Sequence, residues 1–520
     1  SGIMKKVLLG NEAIARGAYE AGCRVAAGYP GTPSTEILEA MAHSYPEVKS
    51  QWSCNEKVAF EVAAGAAIAG ARSMTTMKHV GLNVAADPMF TFSYTGVTSG
   101  FVIINADDPG AWSSQNEQDN RHYARAAKLP MLEPSDPNEA YSFTKLAFDL
   151  SEQFDRPVIV RTTTRIAHSQ GVVEIGERKE SELKEFPINP QKYVMIPAHA
   201  RPRHKFVEEQ LEKIREYSYT SGINRIEKGK TKRGIITAGI SYEYVKETCP
   251  DDNILKIGMM WPLPDKMIKE FASMNDELFV VEELDPFIED YIKALGIKVT
   301  GKEIIPLCGE LNADIVDSAL NGKKHSNSIN PYAGKIPNRP PSLCKGCPHA
   351  LVFNAIKKLN LIVNGDIGCY TLGVLPPYNA MHSQGCMGAS VSMHLGFEKA
   401  WGNALARKSV AVIGDSTFIH SGITGLIDIV YNGGTGTVII LDNRTTGMTG
   451  HQENPSTGKT LLGDPSPELN LEALCLACGV KRVVTVDPIE KDNLERVLSE
   501  ETAAEEPSVI IVKRKCILKK

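Results

Sequence analysis

Residues 410–443 read VAVIGDSTFIHSGITGLIDIVYNGGTGTVIILDN, and this stretch gives the clearest indication of the architecture. An apolar strand leads into Gly414-Asp415, a helix follows, and a glycine-rich turn opens a second apolar strand that runs to Asn443. A strand-helix-strand unit of about 30 residues brings both strand ends to one edge of a parallel sheet. Asp415 and Asn443 offer the hard oxygen ligands that Mg²⁺ prefers beside phosphate oxygens. The stretch therefore predicts a magnesium-diphosphate site.

The next five residues, Asn443-Arg444-Thr445-Thr446-Gly447, make this prediction more specific. With Asp415 they resemble the thiamine-diphosphate motif, in which Asp, Asn and a backbone carbonyl two residues later bind the metal. The resemblance implies Asp415, Asn443 and the Thr445 carbonyl as magnesium ligands. The further residues that it implies at the cofactor are Gly414, Ser416, Gly447 and Met448. Ser416 replaces the usual glycine and leaves the ligands unchanged; for the Gly-Asp pair alone, a purely structural turn is the alternative.

Composition and charge limit the classes of protein to which this chain can belong. The chain has 520 residues, of which 42% are hydrophobic and 23% charged, values that suit a globular enzyme of about three domains. The net charge of −5 gives no basic surface for nucleic acid or for anionic membranes. No run of about 18 apolar residues and no signal-peptide h-region is present. We therefore expect a cytoplasmic protein that binds neither nucleic acid nor membrane.

The order of apolar runs predicts an α/β protein with mostly parallel sheets. Short β-rich runs alternate with helical ones over residues 7–175. Periodicity then fails over the connecting segment 177–233, where the charged stretch 204–217 is typical of a solvated helix face. Four prolines are expected to break this segment: Pro187, Pro190, Pro197 and Pro202. A compact βαβ unit resumes within 234–320, and residues 321–342 have the composition of a linker.

Two polar segments stand out in the first half of the chain. The loop Gly28–Ser34 follows a strand and opens a helix, so Thr32 or Ser34 can cap that helix, whose N-terminus attracts anionic groups. A capped βα turn without ligand is the alternative. Glu56 lies at the start of an Ala/Gly-rich helix. Its carboxylate is either favoured by the helix dipole or serves the ring nitrogen of thiamine diphosphate, whose activation needs one carboxylate there.

Lys78 and His79 are adjacent at the end of another predicted strand, in a turn that contains glycine. Such a pair can contact a substrate carboxylate or transfer protons. A pair of surface residues is the alternative interpretation.

The eleven cysteines include two C-x-x-C pairs, which in a large cytosolic chain suggest metal, cluster or redox chemistry. Cys344 and Cys347 share one turn, and Cys369 and Cys516 each follow a predicted strand. These four can ligate an iron-sulfur cluster, although zinc is also compatible with four thiolates. The second pair, Cys475 and Cys478, lies in a Leu-rich helical run, where buried thiols commonly act as small apolar residues.

Taken together, these segments resemble the alpha subunits of the indolepyruvate ferredoxin oxidoreductase family over nearly the whole chain. The segments that carry the resemblance are Gly10–Gly17, Tyr29–Pro33, Lys78–Asn83, Cys344–His349, Gly414–Phe418 and Met448–His451. The resemblance implies a multi-domain thiamine-diphosphate enzyme: a pyrimidine-binding domain at 4–176, a transketolase C-terminal-like domain at 234–320, and a diphosphate-binding and cluster domain at 343–520. It also implies Glu56 as the activating carboxylate and a 4Fe-4S cluster on the four cysteines named first.

The resemblance further implies oxidative decarboxylation of aryl 2-oxoacids to aryl-acetyl-CoA and CO2. Thiamine diphosphate, Mg²⁺ and the 4Fe-4S cluster would be cofactors, and coenzyme A a co-substrate. Thr32 would contact both cofactor and substrate, Lys78 and His79 would contact the substrate, and His79 would be catalytic together with Glu56. The implied partners are a small beta subunit, ferredoxin and a second alpha chain. The family usually continues into a ferredoxin-like module, which this sequence lacks, so a separate polypeptide or a removed segment would carry it. The alternatives are other 2-oxoacid oxidoreductases, a non-redox decarboxylase and a non-enzymatic electron-relay subunit.

Overall fold

The chain divides into two compact units, Ser1–Ala333 and Gly334–Lys520. The computed structural model describes residues 3–325, 334 and 337–519, so part of the predicted linker at 321–342 lies outside the described residues. Among the helices in the described ranges, none is long and apolar enough to cross a membrane.

The first part of the first unit alternates strands and helices, as the sequence predicts. The strands are β1 Met4–Leu9, β2 Val25–Gly28, β3 Lys49–Trp52, β4 Ser73–Lys78, β5 Phe101–Asp107, β6 Met131–Leu132, β7 Val158–Thr163 and β8 Gln170–Ile175. The helices are α1 Gly10–Glu20, α2 Thr35–Ser44, α3 Glu56–Ile68, α4 His79–Val84, α5 Ala86–Thr95, α6 Arg121–Ala127, α7 Pro137–Phe154 and α8 Thr164–His168.

The rest of this unit begins with helices and continues as a second α/β layer. The strands are β9 Arg225–Glu227, β10 Arg233–Ala238, β11 Asn253–Ile257, β12 Met259–Trp261 and β13 Glu277–Val281. The helices are α9 Pro190–Tyr193, α10 Pro197–Thr220, α11 Gly239–Thr248, α12 Asp265–Ser273, α13 Phe287–Ala294 and α14 Ala313–Asn321.

Three sheets form from these strands. The largest has seven strands in the order β12-β6-β7-β5-β4-β2-β3 and is parallel except for β12. The second has the order β13-β10-β11-β9, and β1 pairs with β8 alone. In the large sheet Gly28 of β2 lies opposite Thr76 of β4. This register puts the loop after β2 and the Lys78-His79 pair after β4 at the same sheet edge.

The expected chain break at Pro202 is wrong, because Pro202 lies inside the 24-residue helix α10. Pro190 and Pro197 begin α9 and α10, positions where the missing N–H costs nothing. Pro202 removes a single backbone hydrogen bond. Three apolar residues of α10 are buried, Val207, Leu211 and Ile214, and each contributes about 1.5–3 kcal/mol. Their burial offsets the lost hydrogen bond.

The second unit contains one more α/β layer. Its strands are β14 Ile362–Gly365, β15 Ser383–Gln384, β16 Ser409–Gly414, β17 Thr437–Asp442, β18 Arg482–Val486 and β19 Ser508–Lys513. Its α-helices are α15 Pro348–Lys358, α16 Ala389–Trp401, α17 Asn403–Ala406, α18 Asp415–Thr417, α19 Ile423–Tyr431, α20 Leu471–Ala477 and α21 Lys491–Ala503. A 3₁₀-helix spans Cys369–Val374, and a π-helical turn spans Phe418–Gly422.

The six strands of this unit form a parallel sheet in the order β15-β14-β16-β17-β19-β18. Strands β16 and β17 are buried throughout, which explains their continuous apolar sequences. The prediction that Asp415 and Asn443 follow two parallel strands is confirmed. Cys369 and Cys516 follow the flanking strands β14 and β19, so four residues singled out in the sequence follow four neighbouring strands.

Candidate active site

Three oxygen-bearing groups converge where β16 and β17 end. The side-chain amide of Asn443 lies 3.2 Å from Asp415 Oδ1 and 2.9 Å from the Thr445 carbonyl oxygen. With its NH2 toward them, the amide donates to both; with its oxygen toward them, it completes a set of three oxygens. Adjacent ligands of an octahedral Mg²⁺ with bonds of about 2.1 Å lie about 3 Å apart. The spacing of the three groups therefore fits a magnesium ion.

The electrostatics of Asp415 also fit a cation. Burial, and secondly the nearby carboxylate of Asp442, raise the pKa of Asp415 to about 7, although Ser456 Oγ donates to Asp415 Oδ2 at 2.9 Å. Asp442 in turn lies 3.5 Å from the Arg444 guanidinium. Two buried carboxylates in proximity are costly without positive charge between them. Sequence reasoning did not identify Ser456, because its loop carries no periodicity and no recognisable motif.

The other residues predicted at the cofactor lie at the end of β16 and in the loop after β17. A Cβ on Gly414 would lie 2.8 Å from the ring of Tyr370, so a larger residue does not fit there. Ser416 Oγ accepts a hydrogen bond from Thr446 Oγ1 at 2.9 Å, which holds the strand end to the loop after β17. The side chain of Met448 is half exposed. Its contact with a cofactor stays a prediction.

Cys369 and the C-terminal residues lie close to the loop after β17. A Cβ on Gly447 would lie 3.3 Å from Cys369 Sγ. The backbone N–H of Cys516 donates to the Asn443 carbonyl oxygen at 3.0 Å, and Lys519 Nζ donates to the Arg444 carbonyl oxygen at 2.8 Å. These hydrogen bonds hold the segment after β19 against the loop after β17.

The thiol of Cys369 lies within electrostatic range of three other cysteines. Burial and then the thiols of Cys347, Cys516 and Cys344 raise the pKa of Cys369 to about 11. Such mutual destabilisation of thiolates is relieved by a bound cationic metal centre. The set of donors therefore fits a thiolate-bound cluster.

The second C-x-x-C pair has a different environment. Cys475 is fully buried in α20, and burial raises the pKa of its thiol to about 12, with Cys478 as a smaller cause. These properties suit a small apolar residue in a helix-sheet interface.

A second cluster of predicted site residues lies in the first unit. Glu56 is buried at the start of α3, where the preceding Asn55 accepts a hydrogen bond from the Val58 N–H. A Cβ on Gly81 would lie 2.8 Å from Glu56 Cγ, and one on Gly31 would lie 3.0 Å from Lys78 Cδ. The two glycines thus allow the loop after β2 and helix α4 to close around two charged side chains.

Lys78 and His79 are buried, so the interpretation as a surface pair is wrong. Lys78 Nζ donates to the Ser113 carbonyl at 2.8 Å, and burial lowers its pKa to about 8 despite the negative charges of Asp108 and Glu56. His79 Nε2 lies 2.9 Å from Asn116 Oδ1, and burial lowers the pKa of its ring. Its Nδ1 has no hydrogen-bond partner among the described residues. Lowered pKa values make the amine and the imidazole candidates for proton transfer, and an anionic ligand beside Lys78 would favour its charged form again.

The Thr32 loop differs from its prediction in one detail. The N-cap of α2 is Ser34, yet no side chain caps the helix, because Ser34 Oγ donates back to the Gly31 carbonyl oxygen at 2.9 Å. Thr32 itself is partly exposed beside buried Gly31. The residues that sequence reasoning missed here, Asn116 and Asp108, belong to the polar loop after β5, and only their strand-end position hinted at them.

Comparison with protein families gives two matches. Residues 16–223 match the family described as pyruvate flavodoxin/ferredoxin oxidoreductase, thiamine diP-bdg. Residues 366–512 match the thiamine pyrophosphate enzyme, C-terminal TPP binding domain. The first match contains Glu56 and Lys78, and the second contains Asp415 and Asn443.

Several relatives align over almost the whole chain. Indolepyruvate oxidoreductase subunit IorA of Archaeoglobus fulgidus is 44% identical, over 99% of this chain and 87% of the relative. The subunit of the same name from Methanothermobacter marburgensis is 41% identical, over 98% of this chain and 87% of the relative. A solved structure, 2-oxoglutarate:ferredoxin oxidoreductase from Magnetococcus marinus, aligns with a TM-score of 0.53 and 19% identity, over 61% of this chain and 65% of that chain. At that identity the structure bears on the fold alone.

We expect Asp415→Ala to abolish magnesium-dependent binding of thiamine diphosphate, because it removes the charged ligand from a site whose other protein donors are neutral oxygens. Asn443→Ala should weaken binding less. Titration calorimetry at several Mg²⁺ concentrations measures both effects.

The matched control is Asp428→Ala, which changes an exposed carboxylate on α19 and should leave affinity unchanged. Wild-type affinity in the Asp415 variant would contradict the assignment of this site.

Proposed function

Because this chain belongs to the family of indolepyruvate oxidoreductase IorA subunits, we propose that it oxidatively decarboxylates aryl 2-oxoacids to aryl-acetyl-CoA and CO2. The family is one of thiamine-diphosphate-dependent 2-oxoacid:ferredoxin oxidoreductases. The observation that carries the proposal is the order of residues along one parallel sheet: Asp415 and Asn443 follow β16 and β17, and Cys369 and Cys516 follow the flanking strands β14 and β19.

The residues of the second unit would hold the diphosphate end of the cofactor. Asp415, Asn443 and the Thr445 carbonyl would bind Mg²⁺, and Ser456 would keep the Asp415 carboxylate in place. Bound thiamine diphosphate supplies the electron sink for cleavage of the bond between the keto carbon and the carboxylate. The missing Cβ atoms of Gly414 and Gly447 leave room for the Tyr370 ring and the Cys369 thiol beside the proposed site.

The first unit would supply acid-base and substrate-binding groups. Glu56 would bind a protonated ring nitrogen of the cofactor, and its burial would strengthen that hydrogen bond. Lys78 would bind the substrate carboxylate, because its amine is buried beside the loop that contains Thr32. His79, with one unpartnered ring nitrogen among the described residues, would donate or accept a proton near the reacting carbonyl.

Cys344, Cys347, Cys369 and Cys516 would hold a 4Fe-4S cluster, whose chemistry is the acceptance of single electrons. Four thiolates are also compatible with zinc. Analysis of the purified protein for iron, sulfide and zinc decides between the two.

The proposal includes partners. Both relatives are named as subunits, which supports a hetero-oligomer with a small beta subunit. Ferredoxin would accept electrons from the cluster, and coenzyme A would capture the acyl group. Two alpha chains would be present in the assembly.

The proposed activity predicts which substrates react. Protein purified without oxygen, with its beta subunit, should contain iron, sulfide and thiamine diphosphate and should reduce ferredoxin with indolepyruvate in the presence of coenzyme A. A panel of aryl, aliphatic and dicarboxylic 2-oxoacids measures the preference. Faster turnover of 2-oxoglutarate or pyruvate would overturn the aryl assignment, and aldehyde formation without ferredoxin reduction would indicate a non-redox decarboxylase.

Glu56→Gln should keep cofactor occupancy while it slows exchange of the C2 proton of bound thiamine diphosphate by about two to four orders of magnitude. The amide keeps the shape of the side chain but cannot stabilise a protonated ring nitrogen. Exchange is followed by NMR after quenching in acid.

Glu61→Gln is the matched control, because Glu61 lies on the same helix and pairs with the exposed Lys57. Equal exchange rates in the Glu56 variant and the wild type would show that Glu56 is only a carboxylate at the start of a helix.

Serine substitution at each of the four proposed cluster ligands should remove or alter the electron paramagnetic resonance signal of the dithionite-reduced protein. Serine oxygen is a harder ligand than thiolate and binds iron-sulfur clusters less well. The variants are Cys344→Ser, Cys347→Ser, Cys369→Ser and Cys516→Ser.

Cys475→Ser and Cys478→Ser are the controls and should retain the signal. Signal loss in these two but not in the Cys369 and Cys516 variants would show that the cluster has other ligands.

A further inference from the structure

His349 lies between the cysteine turn and the oxygen set. It is in the first turn of α15, directly after Pro348, and 4% of its surface is exposed. Its Nε2 lies 3.5 Å from Asn443 Nδ2. Its ring packs edge-on against Tyr370, with centroids 5.9 Å apart at 89°. The ring is thus held on the side of the Asn443 amide that faces away from Asp415.

The Asn443 amide has two possible orientations, and they differ in what they can bind. With its NH2 toward Asp415 Oδ1 and Thr445 O, it makes two hydrogen bonds and presents no oxygen to a metal. With its oxygen toward them, its NH2 faces His349 Nε2. A magnesium ion requires the second orientation, because an NH2 group cannot act as a ligand.

We propose that His349 is a positioning residue that holds the Asn443 amide with its oxygen toward the magnesium ion. The ring nitrogen accepts the hydrogen bond of the amide NH2, which would otherwise be buried without a partner. This inference rests on the proposed function, since it concerns the metal of the proposed diphosphate site.

The backbone around both residues fixes their positions. The Ala350 N–H donates to the Cys347 carbonyl oxygen at 3.1 Å, so the first turn of α15 is tied to the turn that contains Cys344 and Cys347. The Asn443 carbonyl accepts from the Cys516 N–H at 3.0 Å. The two partners of the proposed hydrogen bond are therefore each attached to a predicted cluster ligand.

The test compares two substitutions at one position. His349→Phe keeps a ring against Tyr370 but has no acceptor, whereas His349→Gln offers a carbonyl oxygen near the place of Nε2. Binding of thiamine diphosphate is measured by calorimetry over a series of Mg²⁺ concentrations, with the full chain. Leaving a buried NH2 without an acceptor should weaken magnesium-dependent binding about tenfold in the Phe variant, while the Gln variant should stay within about threefold of wild type.

A double-mutant cycle separates orientation from packing. In Asn443→Asp both side-chain atoms are oxygens, so there is no amide to orient, and the effect of His349→Phe should disappear there. Equal binding by wild type and the Phe variant would overturn the inference, as would equal loss in the Phe and Gln variants. If Asn443→Asp itself binds no cofactor, the comparison of His349→Phe with His349→Gln alone tests the inference. Failure of the wild-type chain to bind thiamine diphosphate with Mg²⁺ would instead contradict the proposed function.

Discussion

The parallel pairing of β16 with β17 is the constraint on which the second unit depends. Gly414 lies opposite Leu441, and this register puts Asp415 and Asn443 side by side just beyond the two strands. A shift by one residue would displace one relative to the other by about 3.3 Å, more than the length of a magnesium-oxygen bond. Both strands are fully buried and rich in β-branched residues, so the apolar interior holds the register.

Backbone geometry also positions the predicted site residues of the first unit. Gly28 opposite Thr76 aligns two loops, and Gly31 and Gly81 let those loops approach Lys78 and Glu56 more closely than any side chain would permit. The charged groups are taken out of water by this close approach. Burial lowers the pKa of the Lys78 amine, so this shift depends on the small residue at position 31 as well as on the lysine itself.

Much of the fold and of the candidate site could be predicted from the sequence, and the predictions that were wrong or missing have physical reasons. Asp415 and Asn443 follow apolar strands with a helix between them, a local pattern that the sequence displays directly. The burial of Lys78 and the contacts of Ser456 and His349 depend on which strands become neighbours and on loops without periodicity, so no local pattern encodes them. Pro202 was misjudged because the burial of three apolar residues on α10 outweighs one missing hydrogen bond.

Strand β12 has a consequence for how the chain can be divided. It comes from the predicted middle domain, yet it pairs with β6 in the large sheet, and one apolar core extends from Phe60 to Val299. Segments 4–176 and 234–320 therefore share both a sheet and a core, and an excised N-terminal segment would expose the edge of β6 to other chains. We therefore expect the two segments to fold together, and recombination between relatives to succeed only when both are exchanged.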